Sequence, residues 1–312
     1  MKRYLLKKLL WLIPQMILVS FICFVIIKLM PTDPAEASLR VNNVPLITPE
    51  LLAQRRMELG LDQPFFTQYI NWLMGVFRLD FGRSYILNQS VIEMITPAIL
   101  PTVALASVSL VIIVVLSLTL GVSTALYHGT YFDKIVRWVL FLLTSAPSFW
   151  IGLTLVWVFG VILKWLPTSS MTHPLAIVLP SLTLALTYLS TYIRLIRGKM
   201  IEQETENYVL YAKVRGLSSK TILRYVIKNS LQSSIASMSM SIPKLLAGTV
   251  VIENIFAWPG LGRIIIEAIF NKDYPVMQAY IFMMAILFIL FGTVMDIVMY
   301  RMDPRLRTEV GA

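Results

Sequence analysis

With Cys23 as its one cysteine and His128 and His173 as its two histidines, this chain of 312 residues has almost nothing with which to build a disulfide framework or a soft-metal site. Cys23 lies inside an apolar run and reads as a packing or lipid-facing residue. Charge is scarce as well. Asp, Glu, Lys and Arg make up 14% of the sequence, against roughly a quarter in soluble domains. There is no Gly-x-x-x-x-Gly-Lys-[Ser/Thr] phosphate loop. Gly198-Lys199-Met200 fails that pattern in spacing and in hydroxyl, so ATP binding and splitting by that route are excluded. His-Glu-x-x-His zinc sites, Gly-x-Ser-x-Gly elbows and dinucleotide fingerprints are missing too, and no catalytic residues are assigned. Asp296 is the one acid well inside an apolar run. A proton- or sodium-driven carrier keeps more such groups for its coupling ion, so the energy source is expected outside the chain.

What remains is apolar. Hydrophobic residues form 57% of the chain, more than one soluble core of this length hides, and a lipid environment accounts for them. Lipid leaves no water to satisfy the backbone, so long apolar runs predict helices. Six are present, at about 9–30, 101–126, 138–163, 174–196, 231–252 and 277–300. The first follows a basic start, Lys2-Arg3 and Lys7-Lys8, as in a signal peptide. Its roughly 22 residues exceed a signal core of about 7–15, no small-x-small cleavage site follows, and it reads as a retained helix. The fifth opens on Ser233-Ser234-Ile235-Ala236-Ser237, whose small and hydroxyl side chains suit helix packing or a polar path. Six spans put both termini on one side. Seventeen of the 27 Lys and Arg residues then fall on inner segments and eight on outer ones, which predicts N-in and C-in. The net charge of +10 is explained by those inner loops, and no nucleic-acid partner is expected. His128 and His173 fall on opposite sides of the membrane in this topology and read as loop residues.

Two stretches outside the spans carry structure. The outer segment 31–100 has Thr48-Pro49-Glu50, a cap residue followed by proline at the first helical position. It then has an aromatic run, Phe65-Phe66-Thr67-Gln68-Tyr69-Ile70-Asn71-Trp72, suited to the interface or to packing on the spans. The inner segment, about 197–230, is too polar to insert. Tyr208, Tyr211 and Ala212 fall on one helical face, Gly216 ends that helix, and Ser218 or Ser219 caps the next.

That inner segment resembles the loop by which permeases of ATP-binding-cassette importers dock into their ATPases. The family pattern is Glu-Ala-Ala, three residues, then Gly; Ala212 and Gly216 keep it, while Leu210 and Tyr211 replace its first two residues. The wording Ala212-x-x-x-Gly216-Leu217-Ser218 is similar to the peptide/nickel branch. Asn229-Ser230-Leu231-Gln232 lacks the proline common after that stretch, so the helix is expected to run on. Met30-Pro31-Thr32-Asp33-Pro34, Leu79-Asp80-Phe81-Gly82-Arg83-Ser84, the segment from Val251 to Gln278 and the tail Asp303-Pro304-Arg305-Leu306-Arg307 resemble the same branch, so the likeness covers nearly the whole chain.

The resemblance implies an all-α integral membrane protein of a prokaryotic cell membrane, multi-pass, with about six transmembrane helices. Its parts are a tail and first span (1–30), a structured extracytoplasmic segment (31–100), a five-helix permease core (101–300) and a cytoplasmic tail (301–312). Within the core lie a coupling loop at about 197–230 and an outer gating loop at about 253–276. It implies a second homologous permease, giving a heterodimer, two ATPase subunits that bind ATP and Mg, an extracytoplasmic substrate-binding protein and membrane lipid as partners. No cofactor is expected in this chain. Tyr208, Tyr211, Ala212, Arg215, Gly216 and Leu217 are the expected ATPase-coupling residues, with Gly216 as the bend and Ala212 as a small contact.

Trp258, Pro259, Gly260, Gly262 and Arg263 form a turn that either gates the pathway or is anchored by an interfacial tryptophan. Lys244 is near mid-span. An unpaired ammonium there costs at least a few kcal/mol, so it either lines the pathway and favours carboxylates or snorkels from a shallow helix. No metal ligands are assigned, since the spans hold no His, Cys or carboxylate cage for a bare ion. The loop wording is closer to nickel-type permeases, so nickel or another metal in chelated form is the expected cargo, with di- and oligopeptides as the alternative. A membrane scaffold or embedded enzyme is the reading from another class.

Overall fold

The structure, a computed structural model, describes residues 2–29, 33–41, 44–168, 171, 173–239 and 242–302, with side chains for all of these except 2–9, 41, 232, 233, 235–239, 242–244 and 298–302. Met30-Pro31-Thr32 and the tail motif therefore lie outside the described residues. The helices run α1 (Lys2–Lys28), α2 (Pro34–Val41), α3 (Pro49–Glu58), α4 (Phe65–Phe77), α5 (Val91–Leu126), α6 (Tyr131–Ser145) and α7 (Ser148–Leu155). A π-helical stretch, Val156–Ile162, continues α7, and a 3-10 turn, Pro174–Ile177, leads into α8 (Val178–Glu204). Then come α9 (Asn207–Val214), α10 (Ser219–Ser239), α11 (Ile242–Ile255), α12 (Leu261–Asn271) and α13 (Tyr274–Met302). Among the described residues the one extended pairing is an isolated antiparallel bridge, Arg83 to Ser90.

Four of these helices are long and apolar enough to cross a membrane, and five if α6 and α7 with its extension count as one broken span. Leu245–Ile255 is apolar but shorter. The expectation of an all-helical membrane protein holds, while single continuous helices do not all appear. The third apolar run is bent by 109° between Ser145 and Ser148. Pro147 causes this. It has no N–H to continue the ladder, and it drives Ala146 out of the helical region, to φ −88° and ψ 134°. The second run starts ten residues before the expected Pro101, because hydropathy marks the lipid-crossing part of a helix and not its ends. α10 runs unbroken through Asn229-Ser230-Leu231-Gln232, as the missing proline led us to expect.

The chain divides into two compact units. The first comprises 1–102 and 259–290. Its core is aromatic. Phe65, Tyr69 and Trp72 recur at helical spacing on α4 and meet Phe24 of α1, with ring centroids 5.2 Å apart for Phe24–Phe65 and 5.5 Å for Phe24–Tyr69. Tyr69 Oη and Ser20 Oγ are 2.9 Å apart in the buried seam, and Phe282 of α13 sets its ring edge-on to Trp72 at 6.0 Å. The outer aromatic run thus packs on the first span. Thr48 caps α3 as expected, its hydroxyl accepting from the Leu51 N–H at 3.3 Å.

The second unit comprises 103–258 and 291–312 and is organised on α8, which packs against α6, α7, α10 and α11. Lipid is as apolar as leucine, so close approach and hydrogen bonds hold such helices together better than greasy surface does. Gly121 of α5 supplies the first: a Cβ there would lie 2.8 Å from the Ile196 side chain. Thr144 Oγ1 and Ser190 Oγ, 2.8 Å apart, supply the second between α6 and α8.

Candidate functional site

α9 is eight residues between two turns, and its termination is set by one glycine. Gly216 sits at φ +73°. There the Leu217 N–H reaches back to the Ala212 carbonyl at 3.1 Å and the Gly216 N–H to that of Lys213 at 3.0 Å. These two bonds satisfy carbonyls that a helix end leaves open, in the Schellman arrangement. Two residues on, the Ser218 hydroxyl accepts from the Thr221 N–H at 3.4 Å and opens α10.

The faces of α9 differ from the sequence expectation. Ala212 does not share a face with Tyr211. It turns inward with Val209, both buried, while Leu210, Tyr211 and Val214 are 60%, 67% and 77% exposed. Tyr208 is half-buried and its hydroxyl donates to Gln203 Oε1 at 3.0 Å, which ties α9 to the end of α8. Arg215 and Gly216 are exposed, and Leu217 is half-buried. The small side chain therefore serves packing within the chain, and the large apolar ones face outward.

What holds α8 in front of this segment was not read from the sequence. Asp133 on α6, with no exposed side-chain surface, receives both Nε and Nη2 of Arg197 on α8, at 2.8 and 2.9 Å. The Gly129 N–H donates to the same carboxylate at 3.1 Å, and Arg137 stands 3.4 Å away. A buried carboxylate is tolerated only when so satisfied. The local signal existed: Thr130-x-x-Asp133 is a capping-box spacing, and the Thr130 hydroxyl does cap α6. The partner 64 residues away had none.

The outer turn is shorter than expected. Only 256–260 is non-helical, and Leu261-Gly262-Arg263 begin α12. Gly260 has no side chain with which to cap that helix, and Thr102 of α5 does so instead, its hydroxyl accepting from the Leu261 N–H at 2.8 Å. Within the second unit, Ala257 holds φ +48° and the Trp258 N–H returns to the Glu253 carbonyl at 2.8 Å. Trp258 is 2% exposed and Phe256 1%. Gly260 and Gly262 are buried, Pro259 is exposed, and the exposed Arg263 pairs with Glu267 at 3.2 Å. The backbone at Lys244 belongs to α11, and its side chain lies outside the described residues.

In the first unit two segments singled out from the sequence meet. The Ser84 hydroxyl donates to the Asp273 carboxylate, and the Tyr85 N–H donates to its other oxygen at 3.1 Å. Asp273 also starts α13, its carbonyl accepting from the Met277 N–H at 3.0 Å. Burial pushes the Asp273 carboxyl above the usual aspartate range against the pull of these donors. Burial, with the Asp273 charge adding to it, pushes the Tyr85 hydroxyl up to about 12.

The chain matches known proteins along nearly its whole length. Residues 117–308 match the family described as binding-protein-dependent transport system inner membrane component, and residues 1–106 match the N-terminal part of such membrane components. The metal-staphylopine import system permease protein CntB of Staphylococcus aureus (strain NCTC 8325 / PS 47) is 40% identical over 307 residues, covering 98% of this chain and 99% of that protein. The glutathione transport system permease protein GsiC of Salmonella typhimurium is 32% identical over 308 residues, covering 98% and 99%. A putative peptide transport system permease of Brucella abortus (strain 2308) is 33% identical over 318 residues, covering 99% and 100%.

Proposed function

This chain belongs to the family of binding-protein-dependent transport system inner membrane components, and from that premise we propose that it forms one half of the membrane pathway of an ATP-driven importer for a metal carried as a chelate. The observation that carries the substrate is the 40% identity, from end to end, to a permease for metal-staphylopine. The glutathione and peptide permeases are more distant at 32–33%, and peptide import is the reading that competes.

In this reading both termini and the 197–230 segment face the cytoplasm, and 31–100 faces outward. A second permease of similar fold completes the pathway, a binding protein delivers the solute, and two ATPase subunits bind ATP and Mg. α9 is the coupling element. Leu210, Tyr211 and Val214 contact the ATPase, Ala212 packs the element onto its own chain, and the bend at Gly216 fixes its angle. Closure of the ATPase pair pulls α9, and the Asp133–Arg197 clamp passes that displacement from α8 to α6. Trp258 to Arg263 belong to the outer gate, and Lys244 lines the pathway.

The test is reconstitution of this chain with its partner permease, ATPases and binding protein in liposomes. ATP-dependent uptake of nickel–staphylopine well above that of glutathione or short peptides is expected. Uptake of peptides alone would overturn the substrate, and solute movement without added ATP would overturn the energy source. Lys244→Met that keeps wild-type uptake and selectivity would remove that residue from the pathway.

A further inference from the structure

The first unit holds a cavity of about 580 Å³, lined by no residue of the coupling segment or of the outer turn. Its size falls in the range of small-ligand sites, roughly 300–1,000 Å³. Its wall is rich in donors. Lys28, Arg55 and Arg83 line it, against one acid, Glu58. Glu58 is already engaged by Arg55 Nη1 at 2.9 Å and Gln54 Nε2 at 3.1 Å. The remaining nitrogens of Arg55 that bond do so to Ser38 Oγ, at 3.2 and 2.9 Å. Asp33, whose charge reaches Lys28, is held by Arg56 at 2.6 Å. Two cations, Lys28 and Arg83, thus face the cavity without an acid in the described ion pairs.

Trp72 also lines the cavity; its indole nitrogen is itself inaccessible and is bonded to no acceptor among the described residues. Amides add to the polar wall, Gln63 and Asn71 among them, the latter donating to the former at 3.1 Å. Phe24, Ile27 and Phe81 give an apolar side. An acyl chain would not use amides and cations together, and a bare inorganic anion would leave the apolar side empty.

We propose that this cavity binds a small solute bearing carboxylates and amine or amide groups, with its carboxylates on Lys28 and Arg83. The inference rests on the importer reading, in which the 31–100 segment of this unit faces outward, and it makes the cavity a holding site between the binding protein and the membrane pathway. Metal chelates of amino-acid origin and short peptides share this chemistry, so the site itself does not distinguish them.

The test uses the assembled importer in liposomes without its binding protein, with equilibrium binding of nickel–staphylopine and of glutathione as probes. Arg83→Gln and Lys28→Met should each weaken binding about tenfold, while Arg40→Gln, on the exposed Arg40–Glu36 pair, serves as the control at wild-type affinity. In the wild-type importer, amide exchange of 81–90 should slow when the probe is added, which needs no variant to fold. Unchanged affinity in both Arg83→Gln and Lys28→Met, or displacement of the probe by anionic phosphatidylglycerol vesicles but not by excess solute, would overturn the proposal. An importer that moves glutathione and not nickel–staphylopine would sink the metal reading alone, because glutathione binding still tests the cavity.

Discussion

The bends at Gly216 and at Ala257 are the same backbone device built from different residues. In each, a residue with positive φ ends a helix, and the N–H one residue further on returns five residues to close it, Leu217 to Ala212 at 3.1 Å and Trp258 to Glu253 at 2.8 Å. At Gly216 a Cβ would meet nothing within 4 Å, so the bend depends on backbone freedom and its surroundings stay open. At Ala257 an L residue occupies the left-handed region, at about 1–2 kcal/mol. Burial offsets this: Trp258 and Phe256 are nearly inaccessible, and a Cβ on Gly152 of α7 would come within 3.5 Å of the Phe256 ring. One bend is locally determined and leaves its neighbours available to a partner. The other is forced by packing and has no neighbour to spare.

Substitutions can break that contrast. The largest effect is expected from Trp258→Ala, which removes the side chain that holds the second bend; about 4 kcal/mol should be lost in the unfolding of the detergent-solubilised protein. Loss below that expected at Gly216 would mean that the Ala257 bend is also locally determined. Arg197→Met leaves Asp133 buried with half its partners, and about 3 kcal/mol should be lost. In the importer the same change should lower solute-stimulated ATP hydrolysis more than basal hydrolysis. Equal loss of both would remove the clamp from coupling.

Gly216→Val should cost about 2 kcal/mol, since a β-branched residue is a poor occupant of positive φ. It should abolish stimulation by re-aiming α9. Tyr211→Ala, at 67% exposure, sharpens this: stability should stay within about 0.5 kcal/mol, while co-purification of the ATPase falls. The smallest effect belongs to Ala257→Gly, which gives the second bend the chemistry of the first. Relief of left-handed strain outweighs the added chain entropy, and the protein should gain about 0.5 kcal/mol. A loss there would mean that the alanine methyl group contributes to packing.

Much of the first bend was legible. Gly216 after an apolar helical face, Ser218 before the next helix, and the absent proline near Gln232 each have a one-residue consequence, and each holds. The second bend was half legible. Trp258-Pro259-Gly260 announced a turn, but Leu261-Gly262-Arg263 join α12 because Thr102, some 160 positions earlier, caps it. Ala212 was assigned to an outward face because Tyr208, Tyr211 and Ala212 share a spacing. Which way a helix turns depends on what it packs against, and α9 packs on α10. Ala146-Pro147 carried a readable break that the apolar length of the run concealed.

The sequence by itself determined that the chain lives in lipid, that it has no phosphate loop of its own, and where the Gly216 bend falls. These follow from composition and from backbone rules that act over a few residues. Tertiary structure alone decided that Asp133 meets Arg197, that Ser84 and Tyr85 meet Asp273 nearly 190 residues later, and that Lys28 and Arg83 line one cavity. Such pairings have no sequence period. A buried charge or donor takes whichever partner the packing brings within hydrogen-bond reach.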